Sequence, residues 1–413
     1  MATGFDAEGP AERGDARRPE IGEGAMNDAR DAGSARDAGS ARDAAMDDLL
    51  HEIRARRDEF EKLTYIPLDM VNKLKAAGAY RAFVPKELGG DASSPAEFCR
   101  LIERLSEADA STGWVASFGV SAVYLGALPP ATFKAIYGQD PDTVFAGALF
   151  PPQAAREVEG GFEVQGRWPY CSGCMGASLI GAGIRVEGGS SSGLPRMAVM
   201  PRDKVQIKHS WDALGLSATG SHDVVVDCVV VPEEWTFIRG GRPQRDEPIF
   251  RYPSMALAAQ VLAVVGLGAA REALNWVHRE ARDKPAITGA PPIGARPHIQ
   301  AELGRAEARL RSARSFFYEA IETAWEDVLA GRELDRDTHV SLRLGATEAA
   351  AAGADVTRMA FVMAGSEAIR RGHVVSRCML DAAAVAQHAF LGQGTWTSAG
   401  AALLGQPNFP GYP

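Results

Sequence analysis

The residues best suited to chemistry lie in two short segments far apart in the chain. The first, Gly166-Arg167-Trp168-Pro169-Tyr170-Cys171-Ser172-Gly173-Cys174, sets a hydroxyl and two thiols at the end of an extended run. The second carries Asp381 and Gln387-His388, a carboxylate and an imidazole on an Ala-rich stretch expected to be the last helix. Taken alone, each has a modest reading. A Ser at a strand end suits turn chemistry, and a lone His on an Ala-rich helix is more often a satisfied core residue. Cys171 and Cys174 form a CxxC, but no second CxxC accompanies it and it does not open a helix after a strand. Neither a zinc site nor a redox pair is expected there. His209, His222, His278, His298, His339 and His373 lack metal-ligand spacing, so no metal is expected. Gly188-Gly189 with Ser190-Ser191-Ser192 lacks the context of a dinucleotide fingerprint and reads as a loop.

Composition narrows the class. The 413 residues are 46% hydrophobic and 23% charged, enough for a large core and two or three domains. A net charge of -9 with no cluster of Lys and Arg argues against a nucleic-acid surface. No run of about 18 apolar residues and no basic-then-apolar leader is seen, so neither membrane insertion nor export is expected. Five cysteines, an odd number, fit a reducing cytoplasm better than a disulfide framework.

The elements that would position the two segments follow from periodicity. Residues 1–44 are Ala, Gly, Asp and Arg with a tandem repeat at 31–42, too poor in apolar surface to order themselves, and read as a disordered tail with Met26 or Met46 as alternative starts. Residues 45–145 show helical spacing: Leu49, Ile53 and Phe60; Val71, Leu74 and Ala77, closed by Gly78; Phe98, Leu101, Ile102 and Leu105; then Trp114, Phe118 and Tyr124 up to Pro129-Pro130. Ser111 or Thr112 is expected to cap this last helix. Residues 146–250 change to a period of two, with a hairpin turn at Gly160-Gly161. Residues 251–413 return to long helices broken at 284–297, 331–337 and near Gly372, a four-helix bundle. The fold class is α+β.

Local motifs then carry a resemblance. Ala77-Gly78-Ala79-Tyr80 with Val84-Pro85-Lys86-Glu87-Leu88-Gly89-Gly90 resembles the N-terminal signature of the acyl-CoA dehydrogenase superfamily. Trp211, Gly215-Leu216, Thr219-Gly220-Ser221, Asp223-Val224 and Val230-Val231-Pro232 resemble its central β segment. The likeness spans about 50–404 and implies an N-terminal helical domain, a central β-domain and a C-terminal four-helix bundle. Ala110-Ser111-Thr112-Gly113-Trp114-Val115, the segment around Ser172, and Asp381 with His388 are similar to one branch, the oxygenase components of two-component flavin monooxygenases. Leu380 replaces an Arg of that branch's pattern.

The resemblance implies reduced FMN or FAD delivered by a separate reductase, molecular oxygen, and transfer of one oxygen atom from a flavin hydroperoxide to a small organic substrate. It implies catalytic roles for His388 and Ser172, and flavin contacts from Trp168, Tyr170, Ser172, Thr219, Ser221 and Arg282. It implies a substrate pocket at Trp114, Ser121 and Tyr124, and a homotetramer. An acyl-CoA dehydrogenase needs a carboxylate base in reach of the thioester. No Glu follows Glu367, no acidic residue lies between Glu247 and Glu272, and Gln393-Gly394-Thr395 offers only an amide. Residues 115–128 contain no His, which moves the expectation from phenols toward another aromatic ring, an amine or a thioether. The alternatives are thioester oxidation with an atypical base such as Asp381, and a binding protein that has lost the flavin.

Overall fold

The structure, a computed structural model, describes residues 23–187, 195–281, 289 and 291–407. The chain divides into two units, Met1–Asp48 and Leu49–Pro413. Helix α1 runs Glu23–Leu63. Residues 23–44, expected to be tail, are therefore helical; their Ala content supplies helix propensity that the lack of apolar side chains does not cancel. Residues 1–22 lie outside the described residues. From Leu49 onward α1 turns Leu49, Leu50, Ile53 and Phe60 inward, as their spacing requires.

Helix α2 (Leu68–Ala76) buries Met70, Val71 and Leu74. Helix α3 (Pro95–Ala108) opens on a reciprocal cap: Glu97 N–H donates to Ser94 Oγ at 3.2 Å while Ser94 N–H donates to the Glu97 carboxylate at 2.8 Å. Helices α4 (Ala110–Ala116) and α5 (Ser121–Leu125) are joined by a 3₁₀ turn at Ser117–Val120. The cap of α4 is Asp109, which accepts from Thr112 N–H at 2.8 Å, rather than Ser111 or Thr112. Carboxylate and hydroxyl are equally good caps, so sequence alone does not choose between neighbours. Gly113 of α4 lies so close to α3 that a Cβ would fall on the Ser106 side chain. Helix α6 (Pro130–Tyr137) was hidden by Pro129-Pro130: Pro130 does not only end a run but starts the next, at the position whose N–H has no helical partner.

The middle of the chain forms one seven-stranded sheet from β1 (Phe145–Val158), β2 (Gly161–Cys171), β3 (Leu179–Val186), β4 (Arg196–Pro201), β5 (Gln206–Lys208), β6 (His222–Val231) and β7 (Thr236–Ile238). Its order is β5-β6-β2-β1-β3-β4-β7, with β1 and β3 parallel and the other pairs antiparallel. The β1–β2 hairpin turns at Gly160-Gly161.

After α7 (Pro248–Arg251) come α8 (Ser254–Ala281), α9 (Pro297–Leu329), α10 (Arg336–Ala364), α11 (Val374–Ala386) and the shorter α12 (Gln393–Leu403). Helix α8 packs against α3, α10 and α11 and is the axis of the helical assembly. It is apolar enough to cross a membrane by length and composition, with a window of mean hydropathy 1.5, yet 83% of that window is buried inside the protein. Burial of a core helix accounts for it. The Arg57 guanidinium of α1 ties this assembly together, bonding Glu272 of α8 at 3.0 Å and the carbonyls of Glu107 and Ala108 at the end of α3.

Candidate active site

Helix α4, the loop after β2, the 215–222 loop and the turn between α11 and α12 converge on one region. Trp114 of α4 meets His388 edge-on with ring centroids 5.7 Å apart, and Phe390 meets the imidazole edge-on at 5.0 Å. On the neighbouring side of α4, Val115 lies against Gly173, next to Ser172. His388 is not on the last helix, as expected from sequence, but just beyond the end of α11. The Ala-rich run continues past it, and the break comes from Gln387 capping the helix, with Gly392 opening the next.

The turn fixes the tautomer of His388. Phe390 N–H donates to Nδ1 at 3.2 Å, so Nδ1 is an acceptor and the ring proton sits on Nε2. Burial pushes its pKa down to about 4, so the imidazole is neutral at neutral pH. His388 therefore presents an uncharged N–H donor.

The hydroxyls of Ser172, Ser221 and Thr219 form a chain. Thr219 Oγ1 donates to the Leu216 carbonyl at 2.9 Å, using its one proton. Ser221 Oγ, 2.7 Å from Thr219 Oγ1, must then be the donor in that pair, and Ser172 Oγ the donor to Ser221 at 2.7 Å. Ser172 is thus left with lone pairs to offer.

The other expected site residues divide. Tyr170 is 71% exposed, in a left-handed conformation, with its ring edge-on to Trp211 at 6.1 Å. Trp168 is fully buried and donates Nε1–H to the Gly183 carbonyl at 2.8 Å. Ser121 is buried, 3.4 Å from the Phe145 carbonyl. Tyr124 lies under the guanidinium of Arg239, a residue that sequence did not single out. Arg282 lies outside the described residues. Cys171 and Cys174 are buried free thiols, Cys174 Sγ donating to the Gly220 carbonyl at 3.3 Å. Among the described residues no His, Cys, Asp and Glu cluster could hold a metal.

Asp381 is not a base facing the site. It is 4% exposed and accepts Leu216 N–H at 2.6 Å, docking α11 on the 215–222 loop. Gly215 permits this approach, since a Cβ there would fall on the Leu380 carbonyl. Burial raises the Asp381 pKa to about 7. A carboxyl raised in the folded state favours folding fully below its unfolded pKa, and that contribution fades as pH rises through the folded value. From this group, stability falls between about pH 4 and about pH 7. Asp381→Asn should flatten the Tm-versus-pH curve across this window; an unchanged slope would remove Asp381 as its source.

A groove of about 990 Å³ between residues 242–253 and the α9–α10 turn contains none of these residues and is not the candidate site. The first acidic residue of α8 is Glu272, paired with Arg57, and Gln393 at the start of α12 is exposed.

A helical domain, a mixed sheet and a helical bundle, with a neutral imidazole and a hydroxyl chain in the region where they meet, are the architecture of the acyl-CoA dehydrogenase fold. Residues 37–128 match the family description "Acyl-CoA dehydrogenase, N-terminal domain" and residues 260–393 match "Acyl-CoA dehydrogenase, C-terminal domain". The chain is 53% identical over 359 residues to an indole-3-acetate monooxygenase of Pseudomonas putida, covering 87% of this chain and 92% of that one. It is 46% identical over 370 residues to an indole-3-acetate monooxygenase of Acinetobacter baumannii, covering 89% and 95%. XiaF from Streptomyces sp., solved in complex with FADH2 and glycerol, shares the fold at a TM-score of 0.82 and 21% identity, covering 92% of this chain and 99% of that one. The chain belongs to the flavin-dependent monooxygenases of the acyl-CoA dehydrogenase family. It is the oxygenase component of a two-component system, using reduced flavin from a separate reductase and molecular oxygen to oxygenate a small organic substrate.

Proposed function

We propose that the substrate is an arylacetate, indole-3-acetate or a close analogue, and that the enzyme works as a cytoplasmic homotetramer. The observation that carries the substrate reading is the 53% identity extending over 92% of the Pseudomonas putida relative. The site's character agrees with it: Trp114 and Phe390 offer aromatic edges to an aromatic substrate, and no histidine stands on α4 or α5 to deprotonate a phenol. Exposed Val362, Ile369, Leu403 and Leu404 on the bundle supply apolar surface suited to self-association. The five cysteines are all free, in keeping with a reducing compartment.

Reduced flavin, when bound, supplies two electrons to oxygen, so that one oxygen atom enters the substrate and the other leaves as water. Ser172 would accept a hydrogen bond from the N5 position of a bound reduced flavin, with Ser221 and Thr219 holding its hydroxyl in that sense. Tyr170 would contact the flavin, and Arg282 would pair with its phosphate. His388 would offer its Nε2–H to the oxygen being transferred, while Trp114 and Phe390 pack against the imidazole and exclude water.

Ser172→Ala should lower product formed per oxygen consumed roughly tenfold, with hydrogen peroxide rising to match, while the Thr variant retains coupling. Equal coupling in wild type and Ser172→Ala would take Ser172 out of the site. For the substrate, the enzyme supplied with a flavin reductase, NADH and FMN or FAD should convert indole-3-acetate with little free peroxide and leave simple phenols unchanged. Coupled turnover of phenols but not of arylacetates would sink the reading.

A further inference from the structure

Arg239 stands just past β7, and its side chain is unusual for a cation in this protein. The residue is 7% exposed, its guanidinium lies over the Tyr124 ring with Cζ 3.5 Å from the centroid, and Nη1 is sealed from solvent with no hydrogen-bond partner. No ion pair engages it among the described residues. Removing a guanidinium from water is costly unless an anion and full hydrogen bonding accompany it. Stacking on a phenol ring recovers part of that cost and leaves Nη1 without an acceptor.

The position of Tyr124 gives the unpaired charge a purpose. Trp114, Phe118, Ser121 and Tyr124 run along α4, the 3₁₀ turn at Ser117–Val120 and α5. Trp114, at one end of this run, meets His388. Tyr124, at the other, meets Arg239. Phe118 and Tyr124 are only half-buried. Two short helices with a 3₁₀ turn between them rise about 17 Å over ten residues; shortened by side chains reaching in from both ends, that is the scale of a bicyclic ring bearing a short acid arm.

We propose that Arg239 recognises the carboxylate of the substrate, anchoring the acid arm at the Tyr124 end while the ring lies toward Trp114 and His388. This rests on the reading that the substrate is an arylacetate. The planar fork of Arg239 can donate to both carboxylate oxygens, and Tyr124 holds that plane in place. Burial raises the Tyr124 pKa, so its phenol keeps its proton and stays a donor beside the acid. The carboxylate supplies the counter-charge that the folded chain does not.

The test compares indole-3-acetate with its neutral isostere indole-3-acetamide in wild type, Arg239→Gln and Arg239→Lys, reading KM and kcat separately. Wild type should prefer the acid. Arg239→Gln should raise KM for the acid roughly 30-fold or more, the range of charge-assisted hydrogen bonds, while moving the amide KM less than about threefold, so the preference collapses. Arg239→Lys keeps the charge and loses the fork; it should raise KM for the acid several-fold, and it carries the test if the Gln variant does not fold. An acid-over-amide preference that survives in both variants overturns the assignment of Arg239 and leaves the substrate reading standing. Wild type that oxygenates neither compound overturns the substrate reading, and the carboxylate anchor with it.

Discussion

Replacing His388 with alanine should lower product formed per oxygen consumed by about 100-fold, the loss seen when a preorganised donor is removed from a developing charge. Oxygen consumption should continue, with hydrogen peroxide making up the difference. The size of the effect follows from how the donor is held. Phe390 N–H fixes Nδ1 as the acceptor, so the Nε2 proton is always present and needs no reorientation. Trp114 and Phe390 both pack against the ring. Because burial holds the His388 pKa near 4, coupling should be flat from about pH 5.5 to 8 and change only as the pH approaches 4. Stability follows the same group with its own sign: a depressed histidine pKa favours folding above the unfolded value of 6.5, and the contribution is lost as pH falls toward 4. Full coupling in His388→Ala, or a coupling curve with a midpoint near pH 6.5, would contradict the assignment of a neutral donor.

The second large effect is on stability. Arg57→Ala should cost about 3–5 kcal/mol, because it strands Glu272 in the interior without its cation. The two side chains are 12% and 6% exposed, so solvent does not replace the lost partner. The same guanidinium closes the carbonyls of Glu107 and Ala108, and the next residue is Asp109, the cap of α4. Disorder at the end of α3 should therefore reach Trp114. Thermal or urea unfolding reads the loss; replacing both Arg57 and Glu272 with apolar residues should cost less than Arg57→Ala alone, and an equal or larger cost would show that the pair is not what the single variant breaks.

How much of this was legible in the sequence depends on what kind of fact each residue is. The fold was legible because period and motif report backbone constraints directly. Gly215 stands where α11 passes within a carbonyl's reach, and Gly113 where α4 meets α3. At both positions the packing leaves no room for a Cβ. Ser172, Thr219 and Ser221 were legible as a set because they sit in the two segments that carry the family likeness, yet their direction of donation emerges only from distances. Asp381 misled because a carboxyl near a site looks functional by type, whereas a loop N–H claims it. Arg239 left no signal at all: a single Arg after a strand is ordinary until burial and the missing counter-ion are seen.

The most direct test of the account is isotopic. The enzyme, given reduced flavin by an added reductase and indole-3-acetate under ¹⁸O₂, should yield a product carrying one ¹⁸O atom per turnover, with the second atom in water. A product that carries no label, or oxygen recovered only as peroxide while the arylacetate is untouched, would contradict it.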